Sequence, residues 1–178
     1  MGRMPSVLLA VAAAAFVSAA PLAAQAMTRG EAPLTAKGAV TIGPVGSVNF
    51  PTSDLGDAVN TGFTLGGQGT YGMGNFALIG EVTFNTFGSD TEIEGQSLEA
   101  NGMAFDAGGR YSLNLGHRLG LYVGGVVGLW TGDFDSDFDI VPLAGIQLGP
   151  FDVEARYKGL LGDADWFSVG AAVHFKIK

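Results

Sequence analysis

The sequence contains no cysteine. That excludes disulfides, a thiolate metal site and a lipid-modified cysteine. Basic residues are also scarce: nine Lys and Arg stand against 17 Asp and Glu, a formal net charge of −8. Such a balance argues against nucleic-acid binding. Histidine occurs twice, at His117 and His174, so general-base chemistry has little to draw on. Long apolar runs are missing as well. Hydrophobic residues make up 47% of the chain, yet after residue 26 no run approaches the roughly 18 residues of a membrane-spanning helix. What the chain does have is glycine, 29 of its 178 residues. That suits one domain of tightly curved sheet and is unfavourable to helices.

The first 26 residues read as a secretory signal peptide. Arg3 gives a positive start, Val7 to Ala20 an apolar core, and Ala24-Gln25-Ala26 a small-x-small cleavage site. The chain that follows would carry eight basic and 17 acidic residues. Residues 27–37 are polar and proline-bearing, which is expected of a flexible lead-in. The third unit, residues 38–178, is expected to be the folded domain.

Within it, Phe151-Asp152-Val153-Glu154-Ala155-Arg156-Tyr157-Lys158 alternates strictly between apolar and charged. A period of two is a strand with one apolar and one polar face. Seven further extended segments are predicted: Gly38–Phe50, Asn60–Tyr71, Phe76–Phe87, Met103–Leu115, Arg118–Trp130, Phe138–Leu148 and Trp166–Ile177. Six of the eight alternate cleanly. Phe138–Leu148 is apolar on both faces and contains Pro142. Each segment is about as long as the ~9–11 residues with which a tilted strand crosses a bilayer.

The connections alternate too. Gly72–Asn75, Gly116-His117 and Gly149-Pro150 are short turns, whereas Pro51–Val59, Gly88–Gly102, Thr131–Asp137 and Gly162–Asp165 are longer loops. Short turns on one side and longer loops on the other mark an up-and-down membrane barrel. Twelve acidic residues fall in or at the edge of the long loops, which contain no Lys or Arg. Tyr71, Phe76, Tyr111, Phe151 and Phe175 would form an aromatic girdle near the short turns. Phe50, Phe63, Phe84 and Phe105 would form one toward the loops. By parity Trp130 and Trp166 point inward at the loop-side rim.

This pattern resembles the small eight-stranded outer-membrane β-barrels typified by the transmembrane domain of OmpA and by OmpX, over about Gly38 to Lys178. The resemblance implies an all-β, eight-stranded, antiparallel, up-and-down transmembrane β-barrel in a bacterial outer membrane. It also implies membrane lipids and lipopolysaccharide as neighbours, with the protein a monomer. Barrels of this family often end on an aromatic residue, whereas here Phe175 is followed by Lys176-Ile177-Lys178.

The inward charges would be Glu81, Asp106, Arg110, Asp152, Glu154, Arg156 and Lys158. An eight-stranded barrel has just enough room for its side chains, so these should form a paired network that closes the lumen. Arg110 is expected to hold a carboxylate such as Glu81 or Asp106. A structural or surface-contact role through the acidic loops follows, with no catalytic, cofactor or metal site assigned.

Two other readings are available. One is a soluble periplasmic β-barrel carrying a small apolar ligand, with charges outside and an apolar interior. The other is a lipid-modifying barrel enzyme, which needs a base beside a nucleophile. His174 would be inward-facing, but Ser168 lies about 20 Å away along the same strand. Only Ser112 could approach it from another strand. The stretch Asp133 to Asp139 fails the calcium-binding EF-hand loop, for its sixth place is not glycine and its twelfth, Ala144, is not a carboxylate. The stretch reads first as a solvated acidic loop, and the alternating carboxylates Asp133, Asp135, Asp137 and Asp139 could still bind Mg²⁺ or Ca²⁺ weakly.

Overall fold

The structure, a computed structural model, describes residues 36–177 apart from 53–58, 89–91, 94–95, 98–99, 116–118, 134–135 and 162–164. The expected signal peptide, most of the lead-in, His117 and several loop carboxylates, including Asp135, lie outside those residues.

Eight long strands make the wall: β1 Val40–Pro51, β2 Gly62–Gly72, β3 Phe76–Phe87, β4 Ala100–Asn114, β5 Leu119–Gly132, β6 Asp137–Leu148, β7 Phe151–Lys158 and β8 Trp166–Val173. Each pairs antiparallel with the next in sequence, and β8 returns to β1 to close the sheet. This is a closed, all-antiparallel, up-and-down eight-stranded barrel. Closure removes the free edges of an open sheet. Tight turns with positive-φ glycines, Gly74 and Gly149, join β2 to β3 and β6 to β7.

Alternation decides which face each residue takes, and the polarity is the reverse of a water-soluble protein. Leu65, Leu78, Val82, Phe84, Phe105, Val123, Val127, Leu129 and Ile146 are exposed on the outside. Glu81, Asp106, Arg110, Asp152, Glu154, Arg156 and Lys158 are buried inside. A lumen filled with ionised groups inside an apolar sleeve is the arrangement of a transmembrane barrel. The soluble-carrier reading needs the opposite faces and is overturned by the inward Glu154 and Arg156.

Four details differ from the sequence expectation. β4 starts at Ala100, three residues early, because Asn101 and Ala100 pair with Thr86 and Phe87. The loop after β3 contains a short pairing of Glu92–Ile93 with Gln96–Ser97. The last strand is broken: β8 ends at Val173, and Phe175–Lys176 pairs separately with Ile42 and Thr41. The interruption lies opposite Gly43-Pro44, where proline offers no ladder donor. Finally, β6 begins at Asp137, so Asp137 and Asp139 belong to the wall.

Candidate functional site

The interior is the only described region where chemistry-bearing side chains are gathered, and it is built in three layers. The lowest lies near the short turns. The third residue of β4's inward face from that end, Arg110, reaches across to Asp152 at the start of β7 and ion-pairs with its Oδ2. The same carboxylate oxygen lies 2.9 Å from His174 Nε2. His174 Nδ1 lies 3.2 Å from Thr41 Oγ1, which in turn is 2.7 Å from Thr70 Oγ1. The Arg110 guanidinium also sits 4.4 Å from the centre of the Tyr122 ring, a cation–π contact. Arg110, Asp152, His174 and Thr41 are all almost completely buried.

The middle layer centres on Arg156. It donates through both terminal nitrogens to Glu81, at 2.8 and 2.7 Å, and through Nε to Glu154 Oε1. A guanidinium that meets a carboxylate in two parallel bonds is both strong and geometrically fixed. Gln68 Nε2 donates to Glu81 Oε2 at 2.8 Å. Lys158 Nζ lies 3.5 Å from Asp106 Oδ2, and Arg156 is 3.9 Å from the same oxygen.

An aromatic layer caps the polar column at the loop end. Trp130 and Trp166 meet edge to face, with centroids 5.1 Å apart, and Phe87 stacks against both at 6.4 and 5.3 Å. Val59 and Ala104 complete the cluster. Lys158 Nζ lies 5.6 and 5.4 Å from the two indole rings, so the cap and the ion network are joined through one ammonium group. The inward parity of the two tryptophans is explained by this packing: they close the mouth. Between the layers lies a cavity in which about 30 Å³ is open to the centres of water molecules, room for about two or three waters.

The expected inward charges are therefore brought together, but the partner expected for Arg110 is corrected. Glu81 and Asp106 belong to Arg156 and Lys158, and Arg110 serves Asp152. Arg110 comes from β4 and Asp152 from β7, and sequence parity alone does not say which inward residues share a level. Thr41 and Asn49 of β1 and Thr64 and Thr70 of β2, uncharged residues on the polar faces that alternation gives those strands, extend the network.

The carboxylate–imidazole–hydroxyl order of Asp152, His174 and Thr41 has the members of a nucleophilic triad. Thr41 is fully buried, however, its hydroxyl is also shared with Thr70, and the Asp152 oxygen that meets His174 is ion-paired with Arg110. Neither Ser112 nor Ser168 bonds to His174 among the described contacts. Of the four expected cation ligands, Asp135 lies outside the described residues and the other three accept from backbone N–H groups. Asp133 Oδ2 accepts from the Asn101 N–H, Asp137 Oδ1 from Phe138, and Asp139 from three backbone N–H groups. Among the described residues, no group of three or more metal-ligating side chains is placed to hold an ion.

No protein-family model and no curated protein matches the sequence. Solved structures do. Neisserial surface protein A is similar at 15% identity with a TM-score of 0.51, over 78% of this chain and 100% of that one. The Yersinia pestis outer membrane protein Ail, determined in a phospholipid bilayer nanodisc, is similar at 18% identity with a TM-score of 0.45, over 78% and 100% of the two chains. A de novo designed transmembrane β-barrel gives 15% identity and 0.45, over 78% and 97%. At these identities the likeness to the Neisserial protein concerns the fold.

Proposed function

We propose that this chain is an outer-membrane β-barrel of a bacterium, closed to ions, whose work is done at its surfaces. It anchors in the lipid wall of the cell and presents acidic loops outside. The observation that supports this reading most directly is the reversed polarity, with apolar side chains outward all round the wall and ion pairs within. Membrane lipids and lipopolysaccharide are its neighbours, and the protein acts as a monomer. No catalytic role is assigned: Arg110, Arg156, Glu81, Glu154 and Asp152 are held in ion pairs beneath the tryptophan cap.

Charge placement supports the orientation. Both ends of the described barrel lie at the short-turn side, where Thr41 pairs with Lys176. The long loops at the other side hold acidic residues and no Lys or Arg. A protein exported through the inner membrane would leave its ends in the periplasm and turn the acidic loops outward. Full-length protein expressed in a Gram-negative host tests this. It should fractionate with outer membranes, resist carbonate extraction, and have its loops cut by protease added to whole cells. Release into the soluble periplasmic fraction would overturn the reading.

A further inference from the structure

The wall is not equally zipped all round. β5 and β6 pair along the whole of β6, from Leu148 to Asp137. The ladder between β6 and β7 runs from Leu148↔Phe151 only to Leu143↔Arg156 and stops. Above that point, among the described residues, no strand pairs with Asp137–Pro142 on that side. Beyond Lys158 the chain bends away at Gly159, whose φ of 113° lies in the left-handed region.

An open strand edge beside hydrocarbon should be costly, because each unsatisfied backbone donor there costs several kcal/mol. Here the donors are removed one by one. Alternate residues of a strand address the same edge. Pro142 has no N–H. The N–H of Ile140 donates to Asp139 Oδ1 at 2.7 Å, and that of Phe138 to Asp137 Oδ1 at 2.7 Å. Asp139 also reaches across the gap, taking the N–H of Leu161 on Oδ1 at 3.1 Å and that of Gly159 on Oδ2. One carboxylate thus joins the two sides of the gap by accepting N–H groups from both. The cleft walls are apolar: Phe138, Ile140, Leu160 and Leu161 are exposed, Leu161 to 62%. Phe138 and Ile140 pair with Leu129 and Val127, which belong to the outward apolar belt.

We infer that this fork is a lipid-docking cleft: acyl chains of the outer leaflet lie between the upper half of β6 and residues 159–161, and Asp139 is the latch that shapes it. This rests on the membrane reading above. The occupant is hydrocarbon rather than an added β-strand, because a strand needs edge donors and this edge offers none of the three. The cleft is also continuous with the lipid-facing belt.

The absence of native cysteine makes the test clean. Leu161→Cys is labelled with an environment-sensitive fluorophore in bilayers, beside Leu129→Cys on the fully paired wall and Ser136→Cys in the exposed loop. Quenching by lipids brominated along the acyl chain is compared with quenching by aqueous iodide. Leu161→Cys should follow Leu129→Cys, quenched by lipid and shielded from iodide. If it follows Ser136→Cys while Leu129→Cys stays in lipid, the cleft is wrong and the membrane reading stands. If Leu129→Cys is itself quenched by iodide and not by lipid, the membrane reading has failed and the cleft with it. The latch is tested by adding Asp139→Ala. The freed N–H groups of Ile140, Gly159 and Leu161 should exchange hydrogen faster, and the label at position 161 should lose its lipid quenching while that at 129 keeps it. Unchanged exchange and quenching would overturn the role of Asp139.

Discussion

Single residues matter here through the company they keep in a closed space. Arg156 holds two carboxylates, Glu81 and Glu154, and lies within 3.9 Å of a third, Asp106. Arg156→Met removes the charge and keeps much of the volume. It strands Glu81 and Glu154 in the interior, and breaking a buried pair costs on the order of 3–5 kcal/mol. The urea midpoint of the folded barrel should fall accordingly, and Glu81→Gln in the same chain should restore part of the loss. An unchanged midpoint would mean that water already solvates these groups. Arg110 supplies the counter-test. A double-mutant cycle with Asp152→Asn should show strong coupling, since the two are ion-paired, whereas a cycle with Glu81→Gln should be close to additive. Strong coupling to Glu81 instead would contradict the layer assignment.

At the scale of the strand, backbone approach decides what the sequence may vary. A Cβ added at Gly43 would stand 1.5 Å from the carbonyl oxygen of Val173, whereas one added at Gly80 would meet nothing within 4 Å. Gly43→Ala must push β1 away from the chain at the break after β8, which is the closing seam of the barrel. It should lower the yield of folded, heat-modifiable barrel on cold gels, with Gly80→Ala behaving as wild type. Equal folding of the two would show that the seam is slack. The same contrast explains how much of this protein could be read beforehand. Strand existence and facing were legible in Phe151–Lys158 and Phe76–Phe87, because alternation carries that information directly. The break at Val173 was not, because it depends on Gly43-Pro44 lying across the seam. Nor was the fork above Pro142. A proline announces a missing donor, but only coordinates show that Asp137 and Asp139 cover the donors beside it. Arg110 pairing with Asp152 was hidden for a related reason: strand tilt and stagger set the level of each inward residue, and alternation gives only its face.

For the whole molecule the question is whether the barrel conducts. Three barriers lie in series along its axis: the Trp130–Trp166–Phe87 cap at the mouth, the Arg156–Glu81–Glu154 cluster below it, and Arg110 with Asp152 and Tyr122 below that. In the cavity these side chains line, about 30 Å³ is open to the centres of water molecules, room for about two or three waters. A hydrated ion needs far more, and stripping its water to pass paired charges is expensive in a low-dielectric sleeve. Purified protein in planar bilayers should therefore show no steady conductance. Removing one barrier should not change that: Trp130→Ala with Trp166→Ala opens the mouth but leaves the bidentate pair across the lumen. Adding Arg156→Ala to that variant removes the second barrier but leaves the Arg110–Asp152 layer, so conductance should be seen only once Arg110→Ala is added as well, if the barrel still folds, which its cold-gel mobility reports. Stable channels in the unaltered protein would sink the closed-barrel reading. Channels in the tryptophan variant alone would show that the cap is the sole barrier and that the ion cluster is permeable.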